Sequence, residues 1–380
     1  MQTEFESATE NAALKAAIIS RIQNDGGISF RDFMQMALYE PGLGYYCTAR
    51  ETVGRSGDYL TSPEVSPLFG AMVGRQLREM WDALDAPSRF DIVEVGAGNA
   101  TLCRDVLSWA KRAAPEMLDA VRYVIVEPIP ALQAKQQAGV EPAGLRSRVQ
   151  WLTEMPMEIE GCILTNELLD SMPVHRVAMT EGALREIYVT SNGTRFVEEL
   201  RDPAAEVRRY LDDVQLLPGD GCRAEVNLEA PNWIRKAGGA LRRGFVLTYD
   251  YGYEARELYA PWRTDGTLLC FYRHNPSGDP YARIGRQDMT SHVDFTTLRR
   301  AGEEAGLTTA GLTSQVEFLA HLGIAEALPP PEGEIDLEER LARRRAVSEL
   351  LDPAGLGRIK VLVQAKGVED VHLRGFAGDA

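Results

Sequence analysis

The sequence predicts an α/β protein built on a Rossmann-like, mostly parallel sheet, and three observations carry that expectation. From residue 90 onward apolar strands alternate with amphipathic helices, the order that builds a parallel sheet covered by helices on both faces. The strand at 90–95 runs directly into a glycine turn, Gly96-Ala97-Gly98, which opens a helix. The alternation is interrupted once, from Pro173 to about Gly239, and resumes with the apolar run at 245–249.

Taken in order, residues 6–23 read as a helix because Leu14, Ile18, Ile19 and Ile22 recur at helical spacing. Ser29 is placed to cap a second helix carrying Phe30, Phe33, Met34 and Leu38, which Pro41-Gly42 ends. From there to Pro67 the chain is rich in Gly, Thr, Ser and Tyr and reads as a long ordered loop, followed by an amphipathic helix over 68–84. Strands are expected at 90–95, 122–126, 149–152 and 162–165, with helices at 101–113 and 130–138 between them. The interruption holds a hairpin (174–179 with 184–189), a charged helix near 203–213 and a turn at 218–221. After the strand at 245–249, Gly- and Tyr-rich loops run to about 293. A helix at 295–304, a strand at 307–312, helices at 316–328 and 336–351 around the spacer Pro329–Pro331, and a strand at 359–365 close the chain. The last two strands fit an antiparallel pair at one sheet edge.

Composition narrows the function. The 380 residues are 44% hydrophobic and 8% aromatic, ordinary for a chain with a full core. The net charge of −15, from 41 basic and 56 acidic residues, opposes binding to nucleic acid phosphate. Five scattered cysteines include no C-x-x-C pair, so neither a zinc site nor a disulfide framework is expected, and the histidine spacing suggests no other metal. The acidic start lacks the apolar core of a signal peptide, and no run approaches a membrane span. These features lead to the expectation of a cytoplasmic protein that does not insert into membranes.

The most informative segment is D-I-V-E-V-G-A-G-N-A-T-L at 91–102. Gly96 and Gly98 allow a tight turn and the close approach of a ligand to backbone, and the helix beyond them offers unpaired amides. A dinucleotide fingerprint would place its last glycine where Thr101 stands. Glu94, two residues before the first glycine, disfavours a pyrophosphate and suits the ammonium of a methionine moiety. This pattern favours S-adenosyl-L-methionine, with S-adenosyl-L-homocysteine as product, over a dinucleotide. Glu127, at the tip of the second strand in Y-V-I-V-E-P, stands where ribose hydroxyls would be received.

With those residues in place, the chain resembles the MidA-like methyltransferases, relatives of the mitochondrial complex I assembly factor that methylates an arginine of a complex I subunit. The likeness runs through Y-E-P-G-L-G-Y-Y (39–46), G-D-Y-L-T-S-P-E (57–64), V-E-V-G-A-G-N-A-T-L (93–102) and T-N-E-L-L-D-S-M-P-V-H (165–175). It continues through Y-D-Y-G (249–252), D-G-T-L-L-C-F-Y-R-H (265–274) and D-M-T-S-H-V-D-F (288–295). One departure is Ala100, where the family usually carries a third glycine; alanine is expected to fit a helix start there.

The resemblance implies a class I methyltransferase fold with a seven-stranded Rossmann-like sheet, a helical N-terminal region and inserted hairpin and lid segments. The chain then divides into an N-terminal region with a cofactor-covering loop (1–88), a core (89–172 and 240–366), an insertion between strands 4 and 5 (173–239), an active-site loop region (252–294) and a tail (367–380). In the covering loop, Thr61, Ser62 and Pro63 are expected to contact the cofactor, with Asp58 and Tyr59 ordering the loop. Glu94, Gly96, Ala97, Gly98, Glu127 and Asn166 complete the expected cofactor site.

Methyl transfer demands alignment of a nucleophile with the sulfonium methyl, and a guanidinium acceptor further demands carboxylates that hold it. Ligands bind beyond the carboxyl ends of parallel strands, so Asn166, Glu167 and Asp170 emerge beside the methyl group. Glu167 is the leading clamp, although it could instead cap a helix starting at Asn166. The second acidic element is expected in T-S-H-V-D-F, with His292 and Asp294, and Asp294 could equally cap the helix that begins near Phe295. Three readings follow: an arginine N-methyltransferase acting on a partner protein, a small-molecule O- or N-methyltransferase, and a non-catalytic cofactor-binding assembly factor. An oxidoreductase is a more distant fourth.

Overall fold

The computed structural model describes residues 10–48, 50, 52–328, 336–369 and 371–377. Its centre is a seven-stranded sheet of β1 (Phe90–Val95), β2 (Val121–Val126), β3 (Val149–Leu152), β4 (Ile159–Asn166), β5 (Leu241–Asp250), β6 (Thr308–Ser314) and β7 (Lys360–Lys366). The spatial order is β6-β7-β5-β4-β1-β2-β3, and only β7 runs antiparallel to its neighbours. The expected antiparallel pair at one edge is therefore β6 with β7.

Alternation within each strand splits the core into two layers, because successive side chains point to opposite faces. Ile92, Ile125, Leu164 and Leu247 join one layer, with the helices Pro67–Ala83, Thr101–Ala113 and Gln315–His321. Val93, Val124, Ile163 and Val246 join the other, against Glu229–Ala240 and Phe295–Glu304. The strands are apolar on both faces because both faces are covered.

Several expected elements shift. The first helix is Ala12–Asp25; residues 6–9 and the spacer Pro329–Pro331 lie outside the described residues. Ser29 does cap the second helix, accepting from the Asp32 amide at 3.1 Å. The hairpin of the insertion, His175–Thr180 with Ala183–Ser191, belongs to a five-stranded sheet that also takes in Ile28–Ser29, Phe196–Arg201 and Arg223–Val226. Those extra strands are short or charged, so no apolar alternation announced them. Residues 252–294, read as loops, contain a three-stranded sheet of Leu269–Tyr272, Asn275–Ser277 and Asp288–Thr290. The helix expected over 316–328 breaks at Gly323, in the left-handed region.

Ala100 does stand at the start of a helix, as expected, but in a strained conformation. It caps the helix Thr101–Ala113 with φ 60°, a left-handed conformation, and is fully buried. A side chain there costs about 1–2 kcal/mol, a strain that a glycine at this helix start would not carry.

The helix Pro67–Ala83 packs so closely on Thr101–Ala113 that a Cβ on Gly74 would run into the Trp109 ring. Gly74→Ala should therefore destabilise the protein by about 1–3 kcal/mol through overpacking, against a helix-propensity gain of at most about 1 kcal/mol. A lowered urea midpoint is the expected reading; a raised one would show that the two helices can separate freely.

Candidate active site at the carboxyl edge of the sheet

The carboxyl ends of β1, β4 and β5 converge, and two cavities open there. The smaller, about 50 Å³, lies against the glycine turn and is lined by Thr61, Pro63, Glu64, Glu94, Gly96, Ala97, Gly98, Asn166 and Glu167 among others. Gly96 and Gly98 have φ of 73° and 53°, conformations that favour glycine. A Cβ on Gly98 would meet no protein atom within 4 Å, so the space beside it is available to a guest. Glu94 is buried, accepts a hydrogen bond from the Tyr123 hydroxyl at 2.7 Å, and has its pKa raised to about 7 by burial. The Asn166 Oδ1 beside it is buried without a hydrogen-bond partner. An acid and a free carbonyl oxygen together suit an ammonium donor, so these residues fit the methionine end of S-adenosyl-L-methionine.

Glu127 follows β2. Its carboxylate accepts from the Ile129 amide and from Gln136 Nε2, both at 3.0 Å. Gln136 is steadied by the Trp151 indole, which donates to its Oε1 at 3.0 Å. One bond to each oxygen leaves lone pairs for two hydroxyls.

The loop before the helix Pro67–Ala83 is tied down at both ends. Glu64 Oε1 accepts from Asn99 Nδ2 (3.0 Å) and the Thr101 hydroxyl (2.6 Å), which fastens the short helix Ser62–Val65 to the glycine turn. Asp58, with no exposed surface, accepts from the Tyr45 hydroxyl (2.9 Å), Arg50 (2.9 Å) and the Arg273 amide (2.8 Å). Ser62 differs from expectation: its hydroxyl is turned away to Gln315 Oε1 at 2.8 Å, and only its amide reaches the site, at 3.4 Å from Glu167 Oε1.

The larger cavity, about 390 Å³, adjoins the first through Tyr59 and Glu167, which line both. Its acids are Asp58, Glu167, Asp170 and Asp288. No helix begins at Asn166. Glu167 instead sits at φ 51°, its amide donating to the Tyr249 carbonyl at 2.8 Å and its carboxylate accepting from Asn166 Nδ2 at 3.0 Å. Burial, and secondarily nearby acids, push the Glu167 pKa up to about 8, and Asp170 is raised for the same reasons. Asp288 is raised to about 6 by burial and accepts from the Tyr46 hydroxyl at 2.6 Å. The charged groups that raise these three carboxyl groups are themselves acids: Asp58, Glu167, Asp250 and Asp288.

His292 lines this cavity as a neutral imidazole, its pKa depressed to about 3 by burial and then by Arg358 and Arg263. Its Nδ1 has no hydrogen-bond partner. Asp294 is a correction. It accepts from the amides of Thr296 and Thr297 (2.9 and 3.2 Å), the Thr297 hydroxyl (2.7 Å) and the Tyr210 hydroxyl (2.9 Å), as the N-cap of the helix Phe295–Glu304. Its carboxylate is consumed by these four donors. The acid of D-M-T-S-H-V-D-F that lines the cavity is Asp288, at the other end of the motif. Asp288, Tyr46 and Glu64 were not singled out from sequence, although all three lie inside the quoted motifs.

A sheet in this order, with a glycine turn after its first strand and an acid beyond its second, defines a Rossmann-like methyltransferase. The chain belongs to the family of S-adenosyl-L-methionine-dependent methyltransferases, whose profile matches residues 72–313. It is 34% identical to a protein from Burkholderia thailandensis crystallised bound to S-adenosyl-homocysteine. That match covers 97% of this chain and 95% of the other, with a TM-score of 0.87. The protein arginine methyltransferase NDUFAF7 homolog of Drosophila melanogaster is 29% identical over 98% of the chain and 90% of its own length. Human NDUFAF7, also named a protein arginine methyltransferase, is 28% identical over 81% of the chain and 72% of its own length. Both relatives are named as mitochondrial, which overturns the expectation of a cytoplasmic location. Among the described residues no helix is long and apolar enough to cross a membrane.

Two outcomes are expected. Gly98→Val puts a β-branched side chain at a left-handed position and into the space beside the turn, so calorimetry on the folded variant should detect no S-adenosyl-L-methionine binding. Near-wild-type affinity would place the cofactor elsewhere. Asp294→Ala strips four donors of their acceptor and should cost about 2–3 kcal/mol of stability while cofactor affinity is kept. A variant as stable as wild type but unable to turn over would return Asp294 to the acceptor pocket.

Proposed function

We propose that the protein transfers the methyl group of S-adenosyl-L-methionine to an arginine guanidinium of a partner polypeptide. The observation that carries this reading is the position of Glu167, lining both cavities in the company of Asp170 and Asp288, none of the three in an ion pair among the described residues. Buried carboxyl groups of this kind are costly unless a positive guest arrives, and a guanidinium offers planar, multiple donors to meet them. The curated relatives are named for the same acceptor chemistry.

Bound S-adenosyl-L-methionine supplies an electrophilic methyl on a sulfonium. Glu94 and the Asn166 Oδ1 would hold its ammonium, and Glu127 its ribose hydroxyls. Glu167 would bind two guanidinium nitrogens from the cofactor side, with Asp170 and Asp288 compensating the remaining charge. Holding the cation in one plane leaves a nitrogen lone pair directed at the methyl, and alignment of that kind supplies much of the acceleration. The proton shed on methylation can pass to Glu167, whose burial already favours its protonated form. Tyr59 and the loop fastened by Glu64 and Asp58 would screen the transfer line from water.

The test begins with labelled methyl from S-adenosyl-L-methionine in a mitochondrial or bacterial lysate; label should enter protein and be recovered as methylarginine, and label only in solvent-extractable material would defeat the reading. On the substrate so found, Glu167→Gln should lower turnover by about 100-fold or more, with a much smaller effect on cofactor affinity. The cation needs the carboxylate form, so KM should fall as pH rises toward about 8 and level off above it. The Gln variant should lose that dependence.

A further inference from the structure

The larger cavity is not acidic throughout. Arg358 lines it together with Glu167, Asp170 and Asp288. Its guanidinium donates to the Tyr253 hydroxyl at 2.6 Å and lies 5.8 Å from the centre of the same ring. Arg263 covers that ring as well, at 4.6 Å, while its Nε donates to the Glu257 carbonyl at 3.4 Å. Neither guanidinium forms an ion pair with a carboxylate among the described residues. Glu254 is engaged by Arg299, and Asp352 accepts from the Ala354 amide. Two unpaired guanidiniums on one tyrosine ring, in a chain of net charge −15, are placed against the general trend of its surface. Both are held by contacts that leave N–H groups free.

This positive patch is continuous with the acidic part of the cavity. Tyr251 lines the cavity, His292 stacks on it at 6.2 Å and 14°, and Tyr253 follows His292 at 5.2 Å. The row of rings therefore leads from the buried acids to the two arginines. A guest filling the cavity meets both signs: carboxylates that suit a guanidinium, and the Arg358 guanidinium, which suits a carboxylate. A polypeptide supplies that pairing when an acidic residue neighbours an arginine. A cavity of this size is crossed by an extended chain in about two or three residues, at roughly 3.3–3.6 Å each, so the two charges must be close in sequence.

We infer that Arg358, backed by Arg263, receives a carboxylate of the methyl-acceptor polypeptide, so that the protein selects arginines with Asp or Glu within about three residues. The inference rests on the arginine reading above and adds the sequence context of the acceptor. Lysine neighbours are rejected by like charge at the same place, which sets this selection against the basic segments that an acidic surface would otherwise gather.

The experiment uses the full chain with saturating S-adenosyl-L-methionine and three synthetic arginine peptides that differ only in flanking Glu, Ala or Lys. The Glu peptide should show a KM at least about tenfold below the Ala peptide, with the Lys peptide highest, since a charge-assisted contact is worth roughly that factor. Arg358→Ala should erase the advantage of Glu over Ala. Arg358→Glu should invert the order and make the Lys peptide the best, a gain that misfolding does not produce. Equal KM for the three peptides with wild type, or a Glu preference that survives Arg358→Ala, overturns the inference while leaving arginine methylation standing. Failure to methylate any arginine peptide, with cofactor bound, defeats the arginine reading and this inference with it.

Discussion

The site depends on Glu167, Asp170 and Asp288, buried at the carboxyl edge of the sheet with no ion pair among the described residues. Burial in a medium less polar than water penalises the charged form, which is why Glu167 is pushed up to about 8 and Asp288 to about 6. Glu167 also has a positive φ, a conformation that persists only where the surrounding structure over-determines it. Here β4 and β5 supply that constraint. The Glu167 amide is bound to the Tyr249 carbonyl, and Asp250 accepts from the amides of Leu169 and Tyr251, which sets the turn after β4 in a single shape. Glu167 is held at a positive φ by the same bonds.

The walls around those acids come from distant parts of the chain, and a few polar residues join them. Asp58 reaches from the covering loop to the hairpin tip at Arg273 and His274, both at positive φ, and binds both amides through its carboxylate and its carbonyl. Glu225, on the five-stranded sheet, accepts from Arg176 and from both the amide and hydroxyl of Thr267. The Thr267 hydroxyl in turn accepts from the His292 amide at 3.0 Å. The four strands of that sheet inserted between β4 and β5 are thereby connected to the cavity lining, and their place in the sequence becomes intelligible. They brace the edge at which β4 and β5 end.

The D-M-T-S-H-V-D-F segment shows what sequence reasoning can and cannot resolve. Its two aspartates are six residues apart and chemically identical. Asp288 belongs to a strand whose neighbour, Leu269–Tyr272, sends Leu269 and Phe271 into the cavity, whereas Asp294 begins a helix and turns back onto that helix's own amides. Capping was already a recognised possibility for Asp294, because Asp is a favoured N-cap. For Glu167 the same alternative fails, because the chain after Asn166 makes a turn rather than a helix. Which carboxylate serves the backbone and which faces a guest is a matter of direction, and direction is set by packing.

The sequence by itself determined the sheet, the glycine turn and the acids at the tips of β1 and β2. These follow from local rules: apolar periodicity, conformations open only to glycine, and the fact that parallel strands deliver their ends to one edge. It also placed Asn166, Glu167 and Asp170 at that edge. Tertiary structure alone decided that Asp288 joins Glu167 and Asp170, that Asp294 does not, and that Arg358, nearly two hundred residues beyond Glu167, lines the same cavity. The physical reason is that contacts across loops depend on how separate layers dock, through bonds such as those of Asp58 and Glu225. Neither spacing nor composition along the chain carries that information.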